Sequence, residues 1–100
     1  MRILISADAE DDLIDGARFY NSIEPGLGDR FIDSLLSDID SLHSYSGIHA
    51  KFWGYYRLLS QRFPYAVYYS LADDLLRIHA VLDCRQDPEK TQKRIQPESS

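Results

Sequence analysis

Apolar residues recur along this chain with two different periods, and the change of period divides it near residue 47. Ile3-Leu4-Ile5 is a short apolar run, β-branched at two positions, which predicts a strand buried on both faces. Ala9, Leu13, Ala17 and Tyr20 then recur at spacings of four, four and three, with Ile14 flanking, and predict a helix over roughly residues 8–23. Ser6 and Asp8 are its two candidate N-caps, and Glu10, Asp11 and Asp12 place negative charge at the positive end of the helix dipole. Gly16 weakens this helix by ~1 kcal/mol relative to Ala, but lets another element approach closely. Pro25-Gly26 ends it. A second stripe begins at once with Leu27, Phe31, Leu35, Ile39 and Leu42, widened by Ile32 and Leu36, while Asp29, Asp33, Asp38 and Asp40 mark its solvated side. Two helices joined by so short a turn pack antiparallel as a hairpin.

Beyond Tyr45-Ser46-Gly47 the pattern becomes that of strands. Residues 55–62, 65–71 and 75–83 are rich in aromatic and branched side chains. Phe63-Pro64 and Ala72-Asp73-Asp74 separate them and are short enough for hairpin turns, with Pro64 in the turn or at the strand's start. Residues 49–53 are expected to form an extra short strand or an ordered loop. The chain is polar from Gln86 onward, so a single domain over residues 1–88 is expected, followed by a polar tail over 89–100 whose end, Pro97 to Ser100, frays. Lys90, Lys93 and Arg94 of this tail fit a solvated end or a basic turn near the sheet. The order β-α-α-β-β-β predicts an α+β fold in which a mainly antiparallel sheet packs on an N-terminal helical hairpin.

Charge refines this picture. The chain of 100 residues has a net charge of −5, which disfavours a broad electropositive nucleic-acid surface. The balance is uneven: residues 1–50 carry ten acids and three bases, and residues 51–100 carry six acids and eight bases. The single cysteine, Cys84, excludes an internal disulfide and a cysteine-rich zinc site. His43, His49 and His79 show no ligand spacing, so no metal or cofactor is expected. Strand alternation places His79 on the same face as Asp83 and opposite Cys84. Carboxylates on the helices read as solvated faces, and Asp73-Asp74 as turn chemistry. No secretory or membrane-spanning run is present in the sequence, and a cytoplasmic location is the simplest expectation.

The basic residues carry the candidate chemistry. Arg57, Arg62, Arg77 and Arg85 lie on or beside the strands, interleaved with Tyr56, Tyr65, Tyr68 and Tyr69. Alternation sends Tyr65 and Tyr69 one way and Tyr68 the other. Such a face fits RNA, with guanidinium on phosphate and rings on bases. It fits a protein partner equally well, and plain packing equally. Trp53 is a further candidate anchor, and Tyr56 reads as either core or face.

An ordered set of short motifs resembles the RelE/ParE superfamily of bacterial toxin–antitoxin modules over almost the whole chain. It comprises Ala9 to Leu13, then Tyr20 with Pro25-Gly26-Leu27-Gly28 and Phe31, then Gly54-Tyr55-Tyr56-Arg57. Arg62 to Tyr69 and Ala80 to Pro88 complete it. The nearest likeness is to the plasmid-stabilisation, ParE-type branch. The resemblance implies a growth-inhibiting toxin neutralised by a cognate antitoxin that wraps it along the helical hairpin and the sheet. Two modes of action follow from it. RelE-type relatives are ribosome-dependent, metal-independent mRNA endonucleases whose basic side chains activate the 2′-hydroxyl, stabilise the charged phosphorane and protonate the leaving oxygen. ParE-type relatives bind DNA gyrase as protein inhibitors. Counted without gaps, the nuclease positions fall on Arg57, Leu59, Ala66 and Gln86, of which only Arg57 is basic; a register slip brings Arg62 and Arg85 into play instead. No tyrosine follows Tyr69 to serve as the C-terminal tyrosine of some nucleases. The expectation is therefore a non-enzymatic, gyrase-binding toxin, with Trp53, Tyr56, Arg57, Arg62, Arg77 and Arg85 as target- or partner-binding residues. The alternatives are an mRNA endonuclease acting on the ribosome through Arg57, Arg62 and Arg85, or a degenerate inactive relative.

Overall fold

The two apolar stripes do form an antiparallel helical hairpin. In the computed structural model, which describes residues 1–96, α1 spans Ala7–Ile23 and α2 spans Leu27–Asp40. Ser6 is the N-cap of α1: its Oγ accepts the Ala9 N–H at 3.1 Å, leaving Asp8 and Glu10 in the first turn. The buried positions of α1 are Ala9, Leu13, Gly16 and Tyr20, so Gly16 lies on the packed stripe itself. A Cβ at Gly16 would lie 2.5 Å from Cζ of Phe31, which is fully buried. Gly28 meets α1 in the same way, its Cβ direction blocked by the Ala17 carbonyl, and its N–H donates to Asn21 Oδ1 at 2.8 Å. Gly26 reverses the chain with φ +90°, a conformation that favours glycine. The second stripe does not run on unbroken: α2 stops at Asp40, and Leu42 is buried on a separate turn, α3 (Leu42–Tyr45).

Five strands form one sheet in the order β1-β5-β4-β3-β2. They are β1 (Arg2–Ile5), β2 (Lys51–Phe52), β3 (Tyr55–Leu59), β4 (Tyr65–Ala72) and β5 (Leu75–Asp83). β1 runs parallel to β5, and the remaining pairs are antiparallel. The sheet corrects the expectation for β1. It is an edge strand, with Ile3 and Ile5 on the core and Leu4 43% exposed on the other face. β3 ends at Leu59 instead of residue 62, because Ser60 to Pro64 make the turn into β4. Residues 49–53 combine the two expected forms, an ordered stretch at His49-Ala50 and the short strand β2.

A bulge in β5 decides which side chains share a face. Tyr68 pairs with Ala80 and Tyr69 with Ile78, leaving His79 without a partner on β4. One extra residue reverses the alternation. Leu76 and Ile78 before it, and Val81 after it, face the helical hairpin, whereas Ala80 and Leu82 face the opposite side. The expected sharing of a face by His79 and Asp83 therefore fails.

The core between hairpin and sheet holds Phe31, Leu35, Val67, Tyr69, Leu76 and Ile78, each essentially inaccessible. A second, smaller cluster of Ala66, Tyr68, Ala80, Leu82 and Ile95 lies on the outer face of the sheet. Its cover is α4 (Pro88–Ile95), a helix where the sequence led to the expectation of a polar tail beyond residue 88. Asp87 caps it through the Glu89 N–H at 2.9 Å, and Thr91 and Ile95, one turn apart, are its buried residues. Arg94 joins α4 to α1 through a bidentate pair with Asp12, 2.9 Å at each oxygen, so it is not part of a free basic end. The expected fraying of Pro97 to Ser100 lies outside the described residues.

Candidate functional site

The outer face of the sheet, opposite the hairpin, carries Arg57 and Arg77 but not the other two arginines. Arg57 pairs with Tyr68 across β3 and β4, and its guanidinium lies 3.8 Å above the Phe52 ring. Arg77 is exposed on β5, opposite Leu4 on one side and Ser70 on the other. Arg62 belongs to the β3–β4 turn and lines a cleft of about 230 Å³ against α2, with Asp33, Ser34, Ser37 and Asp38. Arg85, just past β5, is held by Asp83 through its Nε at 3.0 Å and Nη2 at 2.8 Å. That pairing draws the Asp83 carboxyl below its usual range, chiefly by the hydrogen bond from Arg85. The expected arginine face is thus divided among three places.

The tyrosines divide as the alternation predicts. Tyr65 and Tyr69 face the hairpin and Tyr68 faces the outer cluster. Burial, then the nearby Asp83 carboxylate, raises the Tyr65 phenol to about 12. Tyr56 is on the core side, stacked on Tyr69 with ring centroids 5.1 Å apart. It is half-buried there, with Lys51 Nζ 4.7 Å over its ring.

Trp53 sits at the head of the β2–β3 hairpin, with φ +53°, followed by Gly54 at +87°. Two successive positive φ values match the twist of a two-residue hairpin, but a bulky residue is costly at the first of them. The indole forms one wall of a narrow cleft of about 100 Å³. Arg57, Tyr68, Cys84, Gln86 and Thr91 are among its other lining residues, so α4 closes one side. Gln86 Nε2 donates to Thr91 Oγ1 at 3.0 Å. Burial raises the Cys84 thiol above its ordinary value, with Arg57 opposing, so the thiolate is disfavoured. Phe52, Cys84, Gln86 and Thr91 join Arg57 here only through the register of β3 with β4 and the docking of α4.

Two of the three histidines, His49 and His79, are occupied by hydrogen bonds, while His43 lies exposed 3.9 Å from Asp40. Tyr69 Oη accepts the Gly47 N–H at 3.0 Å and lies 2.5 Å from His49 Nδ1, to which it is hydrogen-bonded. His79, on the bulge, pairs with Ser70 Oγ at 2.8 Å and meets the Tyr55 ring edge-on. Burial lowers the pKa of the His49 and His79 imidazoles, and Arg77 adds to the effect at His79. Among the described residues no group of three His, Cys, Asp or Glu side chains has the geometry to hold a metal ion. No described helix is long and apolar enough to cross a membrane.

The architecture is an α+β fold of the ParE-like type, a helical hairpin laid on a mostly antiparallel sheet. In fold the chain is similar to one from the "Chromosomal ParDE TA system from P. aeruginosa", with a TM-score of 0.74 and 15% sequence identity. The likeness covers 81% of this chain and 92% of that one. No family model matches the chain, and no curated protein matches it in sequence.

Proposed function

We propose that this chain is the toxin of a toxin–antitoxin pair, neutralised by a cognate antitoxin, and that it acts by binding a protein target, DNA gyrase, rather than by cutting mRNA. The single observation that carries the choice is what occupies the outer face beside Arg57. Leu59 pairs directly with Ala66 there, at two positions that the RelE/ParE resemblance assigns to nuclease chemistry. Leu59 is an exposed hydrocarbon, and Ala66 is 1% exposed beneath the second cluster. Neither side chain transfers a proton or stabilises a developing phosphorane.

The alternative basic set does not repair this. Arg62 lies beside α2, and Arg85 is committed to Asp83. Gln86, the remaining ungapped position, is neutral and donates to Thr91.

The test pairs two reactions with purified protein: gyrase supercoiling of plasmid DNA, and translation of a reporter mRNA by ribosomes. Loss of supercoiling with intact mRNA is expected, together with growth arrest on induction in a bacterial host and relief by the antitoxin. Ribosome-dependent mRNA cuts, with gyrase unaffected, would overturn the proposal.

A further inference from the structure

We infer that the cleft between the Trp53 hairpin and α4 receives one acidic side chain, Asp or Glu, of the protein partner. The inference deepens the target-binding reading above and rests on it. Two features of the cleft point to a carboxylate, and the placement of Trp53 makes its occupancy visible.

The first is charge. No carboxylate forms an ion pair with Arg57 among the described residues. Asp83, which itself lines the cleft, is neutralised by Arg85, and Asp87 accepts the Glu89 N–H. The cleft therefore keeps one guanidinium, that of Arg57, with no acidic partner among the described residues, its plane packed on the Phe52 ring.

The second is the lining. The walls suit such a group: Trp53, Tyr68 and Leu82 flank the methylenes, and Arg57 meets the charge.

Trp53 holds a left-handed backbone conformation that bulky residues rarely adopt, and the turn brings its indole over the cleft.

Trp53 is the only tryptophan of the chain, so its fluorescence reports occupancy directly. The full chain is titrated at constant ionic strength with N-acetylglutamate N-methylamide, with its glutamine analogue, and with the dinucleotide uridylyl-uridine. A saturable change with the glutamate probe, in the millimolar range for so small a ligand, is expected, with none for the other two. Arg57→Gln weakens the response about tenfold or more, since a charge-assisted hydrogen bond is lost. Gln86→Glu, which leaves Arg57 and its packing in place, weakens it through like charge and guards against misfolding of the first variant. An equal response to the glutamine analogue, a response to the dinucleotide alone, or no saturation with any probe overturns the assignment. The titration reads only the cleft and the supercoiling reaction only the target, so failure of the one is told apart from failure of the other.

Discussion

Asp12 is the point where three distant elements meet, and its removal is the most informative perturbation of this fold. Its Oδ2 accepts the backbone N–H of Val81 on β5 at 3.0 Å, and both oxygens receive Arg94 of α4. The carboxylate side chain is only 9% exposed and the guanidinium 41%. β1 ends at Ile5, paired with Ile78, so no β1 residue is left to take the Val81 N–H. In Asp12→Ala the Val81 N–H loses its acceptor at a cost of about 1–3 kcal/mol. The ion pair adds a smaller part, about 0.5–1 kcal/mol, because water screens the half-open guanidinium. Asp12→Ala is therefore expected to destabilise by about 1.5–4 kcal/mol, and Arg94→Gln, which leaves the Val81 bond intact, by about 1 kcal/mol or less. In a domain of this size ~1 kcal/mol moves Tm by about 4–8 °C, so the two variants separate clearly in thermal unfolding followed by circular dichroism. Asp12→Asn keeps an acceptor for Val81 and falls between them. Equal losses for Asp12→Ala and Arg94→Gln would refute the reasoning, since they would place the whole effect in the ion pair.

Gly16→Ala forces a methyl group into the Phe31 ring and is expected to cost about 1–2 kcal/mol despite its gain in helix propensity. Gly28→Ala meets the Ala17 backbone carbonyl, which cannot swing aside, and costs about 3 kcal/mol or more; urea unfolding ranks the two. Tyr20→Phe removes a buried hydroxyl that has no hydrogen-bond partner among the described residues and is expected to stabilise by about 1 kcal/mol; a lower Tm would show that the hydroxyl is satisfied in solution. His49 and His79 both titrate below the ordinary 6.5 in the folded chain, so between the folded and unfolded values the unfolded chain binds more protons. Their contribution is complete above about pH 6.5 and is lost as pH falls toward the folded values. Urea midpoints at descending pH should drop, and the drop should shrink in His49→Gln; an unchanged slope in that variant would remove His49 from the account.

The local elements of this protein were written in periodicity. Spacings of three and four mark α1 and α2, Pro25-Gly26 marks their turn, and aromatic and β-branched runs mark β3, β4 and β5. Each signal involves residues a few positions apart, which is the range over which side-chain direction follows from backbone geometry. The same alternation correctly sent Tyr65 and Tyr69 to one face and Tyr68 to the other. It went wrong past His79, because a bulge depends on the pairing of β5 with β4 and on nothing in β5 alone.

The α+β plan, then, was determined by the sequence, through apolar period and turn chemistry. The tertiary structure alone decided that β1 is an edge strand, that α4 covers the outer face, and that the four arginines part company. α4 has Ile95 as its one large apolar residue and carries no legible stripe; what holds it are the second cluster and a bond from Arg94 to Asp12 across 82 positions of chain. The candidate cleft is of the same kind. Trp53, Arg57, Cys84 and Thr91 become neighbours through strand register and helix docking, two non-local events whose energy lies in burial and pairing and leaves no period along the chain.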